Sequence, residues 1–296
     1  MSMKVLLFAI FVASAGFAET PDFYAHWGDG RAEISSYRVV QPRYGELREG
    51  YGVLIFVTED INRETFIKVE SPTAPKDRMY VLKLNNVLKF TTGIYDYSAM
   101  TSVFSAVEGL VDEDAFELCK VTLSSQEWCG HVFDEMQRQG GELKGEINSY
   151  FESEGKNGYE LEVPDDFEAE DNLLIRIREL KGPIMAAGEE RKIDLLPSLW
   201  SFRLAHRSHE LVRAVLRKGN ATTVAVGEAA MEVVPWSWGW DGFEKTVWVE
   251  KGYPHRILRW EDSAGGKGEL IETVREPYWS LKKNADRVYR ERLGIE

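Results

Sequence analysis

The chain has 296 residues, of which 29% are charged, and 49 acidic against 36 basic side chains leave a formal net charge of −13. That excess repels nucleic-acid phosphate and no basic stripe offsets it, so a nucleic-acid partner is not expected. A hydrophobic content of 44% with nine tryptophans supplies a sizeable core and excludes an intrinsically disordered chain.

The first residues read as an address. Met1 to Lys4 gives a short positive start, Val5 to Val12 (VLLFAIFV) an apolar core, and Gly16-Phe17-Ala18 a small-x-small ending. This is the layout of an export signal cleaved after Ala18. The apolar run is well short of the ~20 residues that span a bilayer. No Cys follows the cleavage point, and no later segment approaches 18 apolar residues. The expectation is a signal peptide at residues 1–18 and a periplasmic or secreted chain with no transmembrane segment after cleavage. Loss of Lys4, the only charge in that stretch, moves the net charge from −13 to −14. Residues 19–296 then suit a single β-rich domain, with a possible subdivision near residues 164–182.

Taken in order, Phe23 to Arg31 is aromatic and glycine-rich. Its Gly28-x-Gly30 lacks the strand-turn-helix frame and the Lys of a phosphate loop, so it reads as a turn into the first strand. Strand-like sequence continues to Glu70, with Val53 to Thr58 as a short apolar run and Phe66 to Glu70 alternating. A Pro-marked loop follows at Ser71 to Asp77. Met79 to Phe90 alternates in part, and Asn85-Asn86 suggests a bend or turn. Gly93 to Val107, Leu118 to Leu123, Trp128 to Phe133 and Leu143 to Phe151 read as further strands, the last two separated by Gly140-Gly141.

Around Val163-Pro164 the pattern changes. Leu173, Leu174, Ile177 and Leu180 have helical spacing, acids precede them, and Gly182-Pro183 is a stop, so Glu168 to Leu180 is predicted as a helix. Arg191 to Trp200 looks irregular. Glu210 to Leu216 and Thr222 to Val234 return to strands. The most regular stretch is Thr246 to Tyr278: period-2 residues rich in Val, Ile, Trp and Thr, broken by Gly252-Tyr253-Pro254 and by Ser263 to Gly268, predict three consecutive antiparallel strands. Trp279 to Leu293 reads as an amphipathic terminal helix. Roughly a dozen strands and two helices predict a mainly β fold, a large curved antiparallel sheet forming a half-barrel or incomplete barrel, with one internal and one C-terminal helix, one or both of them against its concave face.

Five stretches bear on chemistry. Glu127, Cys129 and His131 share a strand face and are weak candidates for a nucleophile with its base or for a metal site. On a strand, however, i and i+2 side chains point in parallel about 6.5 Å apart, farther than proton transfer allows. Cys119 and Cys129 are the only cysteines. A turn at Ser124 would face them across a hairpin, whereas one long strand would hold them ~33 Å apart at ~3.3 Å per residue; both alternatives stay open. His206 and His209 are three apart and match no metal motif. Trp236, Trp238 and Trp240 alternate along one strand face, as a stacking platform for sugars or acyl chains or as a core plug; with Trp128 they are the ligand-binding candidates. Asp165, Asp166, Glu168, Glu170 and Asp171 read as a solvated helix cap rather than the spaced carboxylates of a glycosidase. The chain has no G-x-S-x-G elbow, Walker loop, S-x-x-K or paired C-x-x-C, and no metal or cofactor is expected.

Tyr24 to Gly30 (YAHWGDG), Tyr37 to Gly45, Thr92 to Tyr97 and Ser124 to His131 resemble a family of exported bacterial β-rich proteins of unknown function. The ending from Thr246 to Glu261 is distantly similar to the last strands of the periplasmic lipoprotein-localisation carriers, whose curved sheet wraps helices around an apolar cavity. This chain is longer than such a carrier and lacks its several helices, and no functional residue carries over. The resemblance brings no known activity; the many-stranded pattern, the export signal, the dense aromatics and the missing catalytic motifs point to a non-enzymatic periplasmic protein that binds an apolar or amphipathic envelope component, lipid or acylated protein. The alternatives are an envelope hydrolase using Cys129 and His131, or a carbohydrate-binding module using Trp236, Trp238 and Trp240.

Overall fold

The computed structural model describes residues 23–110 and 114–295; the export signal read at residues 1–18 lies outside the described residues. After a short helix α1 (Phe23–Trp27), eight strands form an antiparallel meander: β1 (Ala32–Arg43), β2 (Glu46–Asn62), β3 (Arg78–Thr92), β4 (Tyr95–Ala106), β5 (Glu117–Glu127), β6 (Gly130–Gln139), β7 (Glu142–Ser149) and β8 (Lys156–Glu162). The chain then returns through β9 (Glu168–Ala169), α2 (Glu170–Arg176), β10 (Glu190–Leu196) and α3 (Leu199–Ala205). It continues as β11 (Val212–Lys218), β12 (Thr222–Val226), β13 (Ala229–Trp240), β14 (Phe243–Glu250), β15 (Ile257–Asp262), β16 (Lys267–Glu276) and a final turn α4 (Val288–Arg292).

Among the described residues, all sixteen strands belong to one sheet. Its order runs from β8 back to β1, then through β16, β15, β14, β13, β11 and β10 to β9, with β12 beside β13. Every pairing is antiparallel except β9 with β10. The last strand therefore closes on the first, with Ile34 opposite Val274. The two ends of the path, β8 and β9, do not pair. The fold is thus mainly β, a large open antiparallel sheet of half-barrel type, as the sequence predicts.

Alternation along the strands sets the two faces. Tyr37, Val39, Leu54, Phe56, Leu82, Leu84, Trp236, Trp238, Val247 and Val249 point inward and form the main core with α1, α2 and α3. Ala32, Ile34, Val53, Val57 and Val274 point outward, where Leu293 and Ile295 cover them. The three-stranded ending is borne out as β14, β15 and β16. Ile257 and Leu258 are both buried, because a bulge at Trp248/Val249 sets Ile257 opposite Val249 and locally breaks the two-face alternation.

Several expectations are corrected. Asn85-Asn86 makes no turn but sits mid-strand in β3, where Asn85 accepts a 2.8 Å hydrogen bond from Ser102 on β4. Phe66 to Glu70 adds one isolated bridge, Ile61 with Lys68, and no strand. The Phe23 stretch is helical, because Phe23 and Trp27 share a side four residues apart and are buried together. Arg191 to Trp200 is regular, giving β10 and the start of α3 with Ser198 as N-cap: its hydroxyl accepts the Trp200 N–H. The terminal segment breaks into short 3-10 turns and one turn of helix rather than a continuous helix.

The acidic run before α2 is not a solvated cap. Asp165 and Asp166 are exposed, but Glu168, Glu170 and Asp171 are buried with α2 between the sheet and α3. Short buried helices gain little from propensity; tertiary packing holds α2, with Asn172 bridging Ser105 and the Phe116 carbonyl.

Candidate functional site

Between the inner face of β1–β4 and the pair α2–α3 lies a cavity of about 240 Å³. Its floor is the strands: Val39 from β1, Gly52 and Leu54 from β2, Leu88 from β3, and Ala99 from β4. Gly52 leaves the floor close to Val39, where a Cβ would stand 3.0 Å from a methyl carbon and displace it slightly. Leu174 of α2 and Trp200 and Leu204 of α3 form the roof, and Phe243 and Trp260 close the side toward β14 and β15. Trp260 lies flat against Gly268, so close that a Cβ at that position would meet its ring at 2.2 Å. Its other contact is the Tyr37 ring, with centroids 4.7 Å apart. Trp200 stands edge-on to Phe90 and Tyr97 and donates its indole N–H to Gln41 at 3.4 Å.

One part of this wall is charged. Lys245 of β14 donates to Glu170 at 3.2 Å. The other Glu170 oxygen accepts the Ser198 N–H at 3.0 Å, while Asp171 accepts the Ser198 hydroxyl at 2.7 Å and the Leu199 N–H at 3.0 Å. Burial raises the Asp171 pKa to about 6, against the Ser198 and Leu199 hydrogen bonds that favour the ionised form. Burial also opposes the charge on Lys245, yet the Glu170 charge and hydrogen bond more than offset it and hold that pKa above the ordinary value. The carboxylates thus anchor α3 to α2, and with Lys245 they place a charged patch on a mixed wall to which Gln41, Asn86, Thr101 and Asp262 add polar groups. The arrangement suits a molecule with one apolar body and one polar end.

The residues singled out in the sequence are not brought together here. Trp236 and Trp238 point inward, as their alternation requires, but at 1% and 0% exposure they are core rather than platform. Lys218 and Lys245 sit over their rings at 5.1 and 5.6 Å. Trp240 is half-buried and packs on Phe243 at 4.7 Å, one ring away from the cavity wall. Trp128 is exposed on the β5–β6 turn, far along the sheet path from Trp236.

Cys129 meets Glu127 through a hydrogen bond, but among the described residues no contact brings His131 to either. Glu127 is buried, with Arg203 of α3 at 3.4 Å, whereas Cys129 and His131 are exposed. Hydrogen bonding to Glu127 and its negative charge push the Cys129 thiol pKa up, opposite to what a nucleophilic thiolate needs. Burial pushes Cys119 up to about 12. The turn falls at Trp128-Cys129 and not at Ser124, so Cys119 lies well down β5 and both thiols are free.

His206 and His209 hold the segment after α3 to the sheet: His206 meets Glu154 at 2.6 Å, and His209 meets Asp134 at 2.8 Å while stacking on Tyr159. Among the described residues no group of three or more His, Cys, Asp or Glu is arranged to hold a metal. Nor is any helix among them long and apolar enough to cross a membrane.

Sequence reasoning missed Trp200, Trp260 and Lys245 as wall residues, and Gly268 as the residue behind Trp260. The available signals were the Ser198 cap, which starts α3, and the register that sets Trp260 opposite Gly268. No protein-family model, curated protein or solved structure matches this chain.

Proposed function

We propose that this protein is an exported, non-enzymatic binding protein of the cell envelope that carries one apolar or amphipathic molecule, a lipid or the acyl group of a protein, in the cavity under α2 and α3. The observation that supports this reading is the cavity itself: an apolar stretch with two indoles beside a charged one at Glu170, Asp171 and Lys245, between a curved sheet and two helices. The export part rests on the sequence of residues 1–18, and the carrier resemblance of the last strands agrees with it.

Volume narrows the ligand. About 240 Å³ exceeds the ~150 Å³ that accepts a benzene-sized guest and falls below the ~300–1,000 Å³ of pockets for drug-sized ligands. That accommodates one acyl chain or one small ring system, with its polar end at Lys245 and Asp171, and leaves no room for a multi-chain anchor.

A fluorescent fatty acid tests this. Wild-type protein should take it up at one per chain. Ala99→Leu, which adds a side chain to the floor, should cut affinity at least tenfold at an overpacking cost of no more than about 1–3 kcal/mol. Equal uptake by both proteins, or none by either, contradicts the proposal.

A further inference from the structure

Because the strands alternate in direction, the turns between β1 and β2, β3 and β4, β5 and β6, and β7 and β8 all lie at one end of the sheet. The β15–β16 turn joins them, since β16 is antiparallel to β1. Ile94 at 80%, Tyr150 at 73% and Trp128 at 71% exposure are the three most exposed large apolar side chains among the described residues, and each sits on one of these turns. Tyr44 and Leu47 add two more at the β1–β2 turn.

The turns that carry these five lie side by side along one ledge. Leu47 lies against Gly265 of the β15–β16 turn. The Tyr44 hydroxyl meets Tyr97 at 2.9 Å, Tyr97 neighbours Tyr95 at 5.8 Å, and Tyr95 neighbours Trp128 at 6.4 Å. The Tyr150 ring then covers Gly130. The same end carries Pro42, Ala264 and Gly266 of the cavity wall.

We propose that this end of the sheet docks on a lipid bilayer, with Ile94, Trp128 and Tyr150 entering the interfacial layer. Trp and Tyr favour that layer because an apolar ring and a polar tip are both satisfied there. The ledge consists of single side chains projecting from separate turns, with exposed Glu46, Asp96 and Glu152 between them. A protein partner needs a contiguous apolar patch of matching shape, whereas a fluid interface closes around isolated projections. The charge selects the lipid. Exposed Lys156 and Lys267 lie at the same end and locally offset these acids, but the net charge of −13 repels an anionic surface, so insertion attracts the chain and an uncharged bilayer is preferred. The proposal stands without the cavity reading.

Cys129 gives the probe: it is exposed on the Trp128 turn, and the other thiol, Cys119, is buried. A polarity-sensitive dye on Cys129 should shift to the blue on phosphatidylcholine vesicles and be quenched by nitroxide-labelled lipid, with weaker effects when phosphatidylglycerol is mixed in. The variant Ile94→Ser, Trp128→Ser, Tyr150→Ser should partition at least about tenfold more weakly, the factor that ~1.4 kcal/mol supplies. It should keep its unfolding midpoint and its fatty-acid uptake, so failure of docking and failure of the cavity reading are separable.

No shift and no quenching in the wild-type protein, or equal partitioning of the variant, overturns the proposal. So does a dye shift that grows with protein concentration without vesicles and accompanies a doubled mass in light scattering, which assigns the ledge to a second copy of the chain.

Discussion

Arg178 is fully buried and carries the strongest single polar commitment in the core. It meets Glu33 at 2.9 Å, donates to the carbonyls of Pro254 and His255 at 2.7 and 3.0 Å, and lies 4.2 Å over the Phe56 ring. Arg178→Ala leaves the Glu33 carboxylate buried without its partner, a loss of about 3–5 kcal/mol; urea unfolding of Arg178→Ala beside Arg178→Ala/Glu33→Leu should show the double variant recovering part of it.

Asp171 gives a pH signature. Its folded pKa, raised to about 6 from an ordinary 3.8, means that the folded chain keeps a proton between about pH 4 and pH 6 where the unfolded chain has released it. Stability must then fall as pH rises through that window and level off above it. A rise from 3.8 to about 6 corresponds to on the order of 3 kcal/mol. Asp171→Asn should remove this part of the slope, and unfolding profiles that stay parallel across the window would contradict it. None of this was legible in the sequence, where Asp171 belongs to an acidic run and burial of three of its members depends on α3 covering them.

At the scale of elements, the regular pieces were legible and the short ones were not. The β14–β16 meander shows in the sequence because its alternation is long and its breaks contain Gly and Pro. Helices α1 and α3 are five and seven residues long, and packing forms them rather than propensity; α2 is equally short, ending at Arg176 rather than at Leu180, and showed only because its apolar spacing runs on past the helix end. Of the two tryptophan readings, a stacking platform or a core plug, burial of Trp236 and Trp238 fits the plug. Period 2 correctly puts Trp236 and Trp238 on one face, but only the fold shows that this face is filled there and opens instead beside Trp260.

The β15–β16 pair supplies a test of that wall. Gly268→Ala must push the Trp260 ring, which a Cβ would meet at 2.2 Å, toward Tyr37 and the cavity. The expected result is at least a tenfold loss of fatty-acid affinity with the secondary structure intact by circular dichroism. Unchanged affinity would show that Trp260 is not a working part of the wall.

For the whole molecule, β16 joining β1 merges the meander and the returning half into one sheet, with α2 and α3 spanning its inner face. The cavity is a product of that closure. Its floor comes from residues 39–99, its roof from 174–204, and its remaining side from 243–267. No local stretch of sequence contains the site, which is why the half-barrel could be anticipated while the residues lining it could not.

The most direct measurement is native mass spectrometry of the protein purified from the cells that make it, followed by organic extraction. The proposed carrier role predicts one added mass per chain, extractable as a single-chain lipid or other small amphiphile and absent from Ala99→Leu. A clean ligand-free mass that stays unchanged after incubation with lipid extract would contradict it.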